Sequence, residues 1–358
     1  MEGTMLKFAL VGCGRIAKRH AELLGLGHIE GAGLAAVCDV DEKRARTLAE
    51  RMGVPAYFDM QTMMRDVDVD VAVVLTESGL HAEHVVELAP HGKHIVVEKP
   101  MALTLADADR MILACDEAQV KLFVVKQNRF NPPVVKVREA LDAGRFGRMV
   151  MGTVRVRWCR TQEYYDQDAW RGTWAMDGGV LANQASHHID LLEWMLGDVD
   201  SVFAMSRTAL VDTETEDTAV ATLRFANGAL GVVEATTATR PTDLEGSLSL
   251  LGEGGTVEIG GHAVNEMKVW NFVESRPEDA AIIADPPQRP PDVYGFGHRA
   301  YYEHVVDCIN NDVPQLVDGL EGRRSLELIS AIYESIETHR EVAMRFRPRL
   351  GRLGTRHG

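Results

Sequence analysis

The sequence predicts two domains: an α/β domain with a doubly wound parallel sheet, then an α+β domain with an open, mainly antiparallel sheet. Three observations support this prediction. The chain has 358 residues, which is more than one hydrophobic core usually holds. Apolar strands alternate with helical patterns up to about residue 125, and beyond it strands follow one another. We therefore predict domains at 1–125 and 126–340 and a basic tail at 341–358.

Composition and charge narrow the classes of function. Hydrophobic residues make up 46% and charged residues 25% of the chain, which is typical of a soluble globular protein. The formal net charge of −15 disfavours non-specific binding to nucleic acid, so an anionic ligand needs a locally basic pocket. The five cysteines include no C-x-x-C pair, which favours a reducing compartment. No signal peptide and no membrane-spanning apolar run is found, so we expect a cytoplasmic protein without nucleic-acid or membrane partners.

The first strand leads directly into a glycine-rich turn. Residues 6–11 have the pattern of a buried strand, residues 12–17 read G-C-G-R-I-A, and the next strand ends in an acid. This arrangement indicates a dinucleotide site in a Rossmann domain. Gly12 allows the tight turn, Gly14 lets amides approach a pyrophosphate, and Asp39 binds ribose hydroxyls, so NAD is favoured over NADP. The cofactor residues predicted from this unit are Gly12, Cys13, Gly14, Arg15, Ile16 and Asp39.

Three further apolar strands suit a parallel sheet, at residues 70–76, 94–97 and 121–125. Because ligands bind at the carboxyl ends of such strands, a nicotinamide is expected beside Thr76, Ser78, His81, Glu98 and Lys99. Pro100 fixes the backbone where the Lys99 ammonium must be aimed. His81 and His84 have helical spacing for metal ligands, but no acidic pattern accompanies them, so we predict no metal site.

The pattern changes in the second domain. Segments with strand-like alternation occur at 150–158, 201–209, 218–225, 229–236, 245–251 and 256–259. Asn227-Gly228 is typical of a hairpin turn between two of them. Helices are predicted at 301–309 and 325–338, a loop at the proline pairs 286–287 and 290–291, and an exposed or edge segment from Arg345 onwards.

One predicted helix between these strands carries polar side chains on one stripe. After a turn at residues 178–179, Asn183, His187, Asp190 and Trp194 follow helical spacing. An imidazole between a carboxamide and a carboxylate can handle protons near neutral pH. The alternative interpretation is a buried helix whose histidine is only hydrogen-bonded.

These motifs resemble those of the Gfo/Idh/MocA oxidoreductases over nearly the whole chain. The matching segments are G-C-G-R-I-A at 12–17, E-K-P at 98–100 and G-G…H-H-I-D-L-L-E-W from 178 to 194. The resemblance implies a Rossmann domain that holds NAD and a second domain whose sheet makes oligomer contacts, so a homodimer or homotetramer is expected. It also implies that Lys99 and His187 flank the carbon that exchanges hydride, with Asn183 as a third catalytic residue.

A narrower resemblance is to the UDP-N-acetylglucosaminuronate 3-dehydrogenases of lipopolysaccharide and other surface-polysaccharide biosynthesis, the WlbA-type enzymes. Such enzymes oxidise the 3-hydroxyl of the sugar to a ketone ahead of an aminotransferase. The segments that carry this resemblance lie at 125–129, 160–165, 170–174, 183–187 and 297–302. The chain has Asn183 where the family often has Asp, and Thr76-Glu77 where it often has Thr-Pro. Because Asn183 cannot accept a proton, a relay that ends in a carboxylate at that position is put in question.

The resemblance extends the predicted site. It adds Gln127, Trp170 and Arg171 to the cofactor residues. The substrate residues that it implies are Lys99, Asn128, Arg129, Arg160, Tyr164, Tyr165, Asn183, His187, His188, His298 and Tyr302. Alcohol oxidation needs a base for the hydroxyl proton and a cation for the developing alkoxide. His187 can be the base and Lys99 the cation, or Lys99 can take the proton itself, and the sequence leaves both open.

Three functions are compatible with these residues. The first is NAD-dependent oxidation of UDP-2-acetamido-2-deoxy-glucuronate, the second is oxidation of a free polyol or sugar, and the third is a non-catalytic NAD-binding regulator. Intact Lys99 and His187 weigh against the regulator. Arginines and aromatic residues at 155–171 favour the first function, since a neutral polyol gains little from guanidinium groups. The alternative interpretation of the arginines, including Arg155 and Arg157, is a solvated strand face.

Overall fold

The first domain is built on a six-stranded sheet. The computed structural model describes residues 5–284 and 295–344. The strands of this sheet are β1 Leu6–Val11, β2 Ala32–Cys38, β3 Ala56–Tyr57, β4 Val71–Val74, β5 His94–Val97 and β6 Leu122–Val124. They lie in the order β3-β2-β1-β4-β5-β6, and all their pairings are parallel. The predicted doubly wound sheet is confirmed, although the two-residue strand β3 was not predicted.

Helices cover both faces of this sheet. They are α1 Ala17–Gly25, α2 Glu42–Met52, α3 Met60–Asp66, α4 His81–Leu88 and α5 Leu105–Glu117. Phe8 and Leu10 of β1 pack in the core that contains α1, whereas Ala9 and Val11 pack in the core that contains α4 and α5. Because both faces are covered, a ligand reaches the sheet at its carboxyl edge, where the turn after β1 and the ends of β2, β4 and β5 lie together.

The second domain has an eight-stranded sheet. Its strands are β7 Met149–Arg157, β8 Val199–Arg207, β9 Thr218–Phe225, β10 Leu230–Thr236, β11 Glu245–Gly252, β12 Gly255–Gly260, β13 Glu266–Phe272 and β14 Val342–Ala343. The order is β13-β12-β11-β7-β10-β9-β8-β14. β7 and β10 pair in parallel, and the other pairings are antiparallel. The predicted open, mainly antiparallel sheet is confirmed, and β13 and β14 extend it beyond the predicted strands.

One face of this second sheet carries the core of the domain. The helices that follow α5 are α6 Pro132–Asp142, α7 Gln162–Tyr165, α8 Ser186–Leu196, α9 Asp279–Ala284, α10 Gly297–Asn310 and α11 Gly319–Thr338. Val154 and Val156 of β7 pack against Ile189 and Leu192 of α8 on the covered face. Hydrophobic side chains of β7 and α8 therefore hold α8, with its polar residues, against the second sheet.

Arg155 and Arg157 of β7 point to the opposite, open face. Arg157 pairs with Glu234 at 2.6 Å and with Glu245 at 2.8 Å on the neighbouring strands. Arg155 lies 4.0 Å from Glu234. These two arginines form the solvated strand face that was the alternative interpretation, and they do not take part in the cleft described below.

The last two helices link the domains. Tyr301, Tyr302 and Val305 of α10 lie in the core of the first sheet, although the first domain was predicted to end at residue 125. Helix α11 packs on α5 and β6 of the first domain and on α8 and β8 of the second. The predicted division at 125 and 340 stays a prediction, to which the structure adds that α10 belongs to the core of the first sheet.

Some predicted features differ from the structure or lie outside it. Helix α8 begins at Ser186 after turns through residues 178–185, so Asn183 precedes the helix and is not on a helical stripe. The proline pairs at 286–287 and 290–291, and the segment from Arg345 onwards, lie outside the described residues. Within residues 5–284 and 295–344, no helix is long and apolar enough to span a lipid bilayer.

Candidate active site

A cleft of about 730 Å³ opens at the carboxyl edge of the first sheet. Its walls are the turn after β1, the ends of β2, β4 and β5, and parts of the segment 164–183. Apart from Gln127, the predicted cofactor residues line it: Gly12, Cys13, Gly14, Arg15, Ile16, Asp39, Thr76, Ser78, His81, Glu98, Lys99, Trp170 and Arg171. Of the predicted substrate residues, those that line it are Lys99, Tyr164 and Asn183.

The turn after β1 has the geometry that a pyrophosphate site needs. Gly12 has φ +100°, and an added Cβ would lie 2.7 Å from the carbonyl carbon of Leu75. At Gly14 an added Cβ would meet nothing within 4 Å, so the backbone borders open space. The Cys13 amide donates to Asp39 Oδ2 at 2.7 Å, and the amide of Asp41 donates to Asp39 Oδ1 at 2.8 Å. These residues fit a dinucleotide whose ribose lies against a fixed Asp39 carboxylate.

Arg44 lines the same part of the cleft. Its half-exposed guanidinium lies 3.5 Å from Asp41 and 3.4 Å from Asp168. Asp168 also pairs with Arg171 at 3.1 Å, so ion pairs connect α2 of the first domain to the segment after α7. The glycine motif gives no signal for Arg44, and sequence reasoning missed it.

His81 and His84 are engaged by the residues around them. His81 Nδ1 lies 2.8 Å from the Pro100 carbonyl oxygen, and its Nε2 lies 3.0 Å from the Thr76 carbonyl oxygen. His84 Nδ1 lies 2.9 Å from the Thr76 hydroxyl. Burial lowers the pKa of both imidazoles. His81 therefore fixes the end of β4 to the backbone just after Lys99.

Glu98 is the centre of a buried hydrogen-bonded group. His20 Nε2 lies 3.0 Å and His298 Nε2 3.8 Å from Glu98 Oε1, and His20 Nδ1 lies 2.5 Å from the Tyr302 hydroxyl. Burial alone would raise the pKa of Glu98, but the hydrogen bond with His20 and the nearby His298 imidazole hold it well below its ordinary value. His298 and Tyr302 contact the Glu98 group and do not line the cleft, so their contact with the substrate stays a prediction. Sequence reasoning missed His20.

Lys99 and Asn183 meet where the two domains face each other. Lys99 Nζ donates to the Asn183 carbonyl oxygen at 2.9 Å and lies 3.5 Å from Asn183 Oδ1. Burial lowers the pKa of Lys99, and the charges of Glu98 and Asp177 oppose that effect. Asn183 Nδ2 in turn donates to Asp177. Sequence reasoning missed Asp177, although an acid directly before Gly178-Gly179 was a visible signal.

His187 follows on the first turn of α8 and is 7% exposed. Within the described residues, neither ring nitrogen has a hydrogen-bond partner. Burial, reinforced by the charges of Lys99 and Lys126, holds the pKa of His187 well below its ordinary value. The imidazole is therefore neutral at pH 7 and free to accept a proton. It does not line the cleft itself, which reaches as far as Asn183.

A buried ion-pair group lies on the other side of α8. Arg129 Nε and Nη2 each donate to Asp190 at 2.8 Å, and Nη2 also donates to Glu321 at 2.9 Å. Lys126 lies 3.5 Å from Asp190 and donates to Ser325 at 2.7 Å. Arg129 is 3% exposed and joins α8 to α11, and its predicted contact with the substrate stays a prediction. Lys126 lies in segment 125–129, which carries the narrower resemblance, but it was not predicted to be a site residue.

Tyr164 lines the cleft between two arginines. The guanidinium carbon of Arg171 lies 4.7 Å from the centre of the Tyr164 ring, and that of Arg160 lies 5.4 Å from it. Arg171 donates to the Tyr164 hydroxyl at 2.8 Å. Each guanidinium also has an acidic partner, Asp168 for Arg171 and Asp243 for Arg160. Since a guanidinium has five N–H donors, both retain donors beyond these pairs.

The remaining predicted residues are buried and do not line the cleft, so their contact with a ligand stays a prediction. Gln127 and Asn128 lie in a short 3₁₀ turn, Gln127–Phe130. The Tyr165 hydroxyl lies 3.2 Å from Thr237 Oγ1, and burial raises the pKa of this tyrosine to about 12. His188 packs edge-on against Trp158, and burial lowers its pKa to about 4.

Comparison with known proteins decides the family. Residues 6–126 match the model of an oxidoreductase family's NAD-binding Rossmann fold, and residues 138–344 match that of its C-terminal alpha/beta domain. The chain belongs to the Gfo/Idh/MocA oxidoreductase family. This finding confirms the resemblance seen in the motifs and NAD as the cofactor. When bound, NAD⁺ supplies the hydride acceptor that the protein's own side chains lack.

Two crystal structures are similar to this family member over almost its whole length. The WlbA dehydrogenase from Bordetella pertussis, in complex with NADH and UDP-GlcNAcA, is 42% identical; the match covers 97% of this chain and 100% of that one, with a TM-score of 0.89. The WlbA dehydrogenase from Chromobacterium violaceum, in the same complex, is 41% identical with coverages of 97% and 98% and the same TM-score of 0.89. Myo-inositol 2-dehydrogenase from Thermotoga maritima is 30% identical over 356 residues, which is 95% of this chain and 98% of that protein.

Proposed function

We propose that this enzyme oxidises the 3-hydroxyl of UDP-2-acetamido-2-deoxy-glucuronate to a ketone with NAD. The two similar crystal structures hold NADH and UDP-GlcNAcA, and at 42% and 41% they are more identical to this chain than the myo-inositol dehydrogenase at 30%. The keto sugar fits a pathway of lipopolysaccharide or other surface-polysaccharide synthesis, in which an aminotransferase would act next.

The observation that carries this proposal is the pair of arginines on Tyr164. The chain has a net charge of −15, so a diphosphate and a carboxylate need cationic side chains that can bind them directly. Arg171 and Lys99 line the cleft, and Arg160 lies against Tyr164. Burial has the largest effect on the pKa of Lys99 and lowers it, and the charge of Arg160 adds a smaller lowering. A guanidinium can bind a carboxylate through two parallel hydrogen bonds, which orients the sugar as well as holding it.

The roles of the reacting side chains follow from their protonation. His187 is neutral at pH 7 and accepts the proton of the 3-hydroxyl as carbon 3 is oxidised. The Lys99 Nζ atom faces two acceptors, the carbonyl oxygen and the side-chain oxygen of Asn183, which suits a protonated ammonium group. This ammonium group stabilises the developing alkoxide. Lys99 keeps its protons in this step, and Asn183 fixes its direction.

The assembly that accompanies this function is a homodimer or homotetramer through the open face of the second sheet. Ala204 and Ala221 pack inward, so their neighbours Phe203, Met205 and Val220 lie on the open face. These three side chains are exposed, and an apolar face of this kind is typical of a protein interface.

A free polyol or sugar is the second candidate substrate. The observation that favours it is the 30% identity with myo-inositol 2-dehydrogenase from Thermotoga maritima over 95% of the chain. A neutral polyol would use Lys99 and His187 in the same way, but it would have no use for Arg160 and Arg171.

The experiment compares initial rates of NADH formation with UDP-GlcNAcA, UDP-GlcNAc and myo-inositol. UDP-GlcNAc has a hydroxymethyl group in place of the carboxylate, so we expect its kcat/KM to be at least about tenfold lower. Arg160→Gln and Arg171→Gln should each reduce the ratio of kcat/KM between the two UDP-sugars. A ratio is used because losses of folding or of NAD affinity affect both sugars equally.

Arg155→Gln is the matched control, because it removes the same charge from the open face of the same domain. It should leave the ratio unchanged. Equal rates with the two UDP-sugars would refute the proposed role of the carboxylate, and preferential oxidation of myo-inositol would support the polyol function instead.

A further inference from the structure

Asp177 is a buried carboxylate in contact with Asn183, the residue that accepts a hydrogen bond from Lys99. It is 1% exposed and does not line the cleft. Its Oδ1 accepts a hydrogen bond from Asn183 Nδ2, and its Oδ2 accepts one from the Gly172 amide at 2.8 Å. On the other side of the same asparagine, Oδ1 lies 3.5 Å from Lys99 Nζ. A carboxylate, a carboxamide and an ammonium group therefore contact one another in succession. We call this succession, Asp177–Asn183–Lys99, the line.

The polarity of this line has one consistent arrangement. An ionised carboxylate only accepts hydrogen bonds and an ammonium group only donates them, whereas a carboxamide does one at each end. Asp177 therefore turns the NH₂ group of Asn183 towards itself and the oxygen towards Lys99. If the amide were reversed, two oxygen atoms would face each other at Asp177, and N–H groups would face the ammonium of Lys99.

We propose that Asp177 is a positioning residue for Lys99: acting through the Asn183 amide, it fixes the acceptor that orients the ammonium group and supplies the negative charge that asparagine lacks. This inference rests on the proposed part of Lys99 in alcohol oxidation. It assigns no contact between Asp177 and the substrate.

The charges around the two ends of the line agree with this arrangement. Burial has the largest effect on the pKa of Lys99 and lowers it. The surrounding charges therefore decide what fraction of Lys99 stays protonated. The charges that act on it are those of Glu98 and Asp177, which favour the ammonium, and those of Lys126 and Arg160, which disfavour it. His187 also lies near, and its own pKa is lowered by the charge of Lys99. Burial also raises the pKa of Asp177, and the groups that oppose this effect are Gly172, Asn183, Lys99 and Arg171, while Glu216 lies nearby as a second carboxyl.

The first measurement does not require a substrate. The rate of reductive methylation of Lys99, read by mass spectrometry of its peptide, follows the fraction of free amine and gives a midpoint pH. Asp177→Asn removes the charge and places an NH₂ group opposite that of Asn183, which must then turn its own N–H groups towards Lys99. We expect the midpoint to fall by about one pH unit, because Lys99 loses both a nearby negative charge and a hydrogen-bond acceptor. A fall of one unit means that the ammonium form is stabilised by about 1.4 kcal/mol less, relative to the free amine, than in wild type.

The exchange variant Asp177→Asn/Asn183→Asp tests the mechanism of that shift. It restores a donor that faces an acceptor at each contact and places the carboxylate directly beside Lys99, so the midpoint should return to the wild-type value or above it. A residue that only supported the fold would not be rescued by exchanging the two side chains. Asp166→Asn removes a charge from the exposed side of the same segment and is the matched control, with no expected shift.

The second measurement is the pH profile of kcat with the UDP-sugar that proves active. Asp177→Asn should lower kcat and leave the NADH dissociation constant unchanged, and the exchange variant should recover kcat in part. An unchanged Lys99 midpoint in folded Asp177→Asn, or no recovery in the exchange variant, overturns the inference.

Two further outcomes are kept apart by this design. If Asp177→Asn does not fold, Asn183→Ala breaks the line without touching the buried carboxylate, and an unchanged midpoint in that variant overturns the inference equally. If the midpoint shifts as expected while no UDP-sugar is oxidised, the proposed substrate is wrong and the positioning of Lys99 by Asp177 stands.

Discussion

The carboxylate of Asp39 should make the enzyme select NAD over NADP. Its two oxygens are held by the amides of Cys13 at 2.7 Å and Asp41 at 2.8 Å, so it cannot swing away from a 2′-phosphate. Two unit charges about 5 Å apart interact by roughly 0.8 kcal/mol in water and about 3 kcal/mol at a protein surface. We therefore expect NADP to bind at least about tenfold more weakly than NAD, a difference of about 1.4 kcal/mol.

Arg44 limits the size of this effect. It lines the same part of the cleft and is the cation that could meet a 2′-phosphate, but Asp41 and Asp168 already lie 3.5 and 3.4 Å from it. Isothermal calorimetry with both cofactors measures the ratio of dissociation constants in wild type, Asp39→Ala and Arg44→Ala. Asp39→Ala should reduce the ratio of the NADP to the NAD dissociation constant, and Arg44→Ala should increase it. Equal binding of the two cofactors by wild type would refute the reasoning.

Three further predictions concern the residues around α8. Lys99→Met and His187→Asn should each lower turnover by about a hundredfold or more, with nearly unchanged NAD binding, because both are proposed to act on the substrate hydroxyl. The acid limb of kcat/KM should lie well below the ordinary pKa of histidine, since His187 is active when neutral and its pKa is depressed by burial and the nearby lysines. Removing one of those charges in Lys126→Met should move that limb to higher pH. Arg129→Ala should lower the free energy of unfolding by about 3–5 kcal/mol, because it leaves Asp190 buried without its bidentate partner.

Each of these predictions has a result that contradicts it. Normal turnover in both Lys99→Met and His187→Asn would remove the chemistry from this pair. An acid limb that stays in place in Lys126→Met would show that the Lys126 charge does not reach His187. Chemical denaturation measures the third prediction, with Arg110→Ala as the control, because Arg110 is exposed and pairs with Asp107 of its own helix α5. Unchanged stability of Arg129→Ala would show that the ion-pair group does not hold α8 in place.

Local patterns were sufficient for the elements that carry the cofactor. The strand β1 was predicted with its observed bounds, and the glycine turn and Asp39 come together because neighbouring parallel strands end at one edge of the sheet. The Asn227-Gly228 turn joins β9 to β10 as predicted. In these cases the interacting residues are close in sequence or are placed by the regular geometry of the sheet, so the pattern itself contains the information.

The partners of the charged residues could not be predicted in the same way. Arg129 and Arg160 look alike in the sequence, yet one is sealed between Asp190 and Glu321 and the other lies on Tyr164 near the cleft. Charge and spacing do not reveal which guanidinium finds a buried carboxylate, because these partners lie 61 and 192 residues away from Arg129. Sequence reasoning therefore could not distinguish an arginine buried in an ion-pair group from one near the cleft.

The return of α10 to the first domain explains why His298 and Tyr302 lie where they do. Tyr302 contacts His20 of α1, and His20 and His298 both face Glu98, so two helices far apart in the chain hold one carboxylate. That carboxylate also accepts a hydrogen bond from the Lys99 amide at 2.9 Å. The backbone that presents Lys99 is thus fixed from the first domain through Glu98, while its ammonium group is fixed from the second domain through Asn183. Because the side chain is anchored at both ends by different domains, its direction in the cleft depends on how the two domains are joined, and α10 contributes to that arrangement through the Glu98 group.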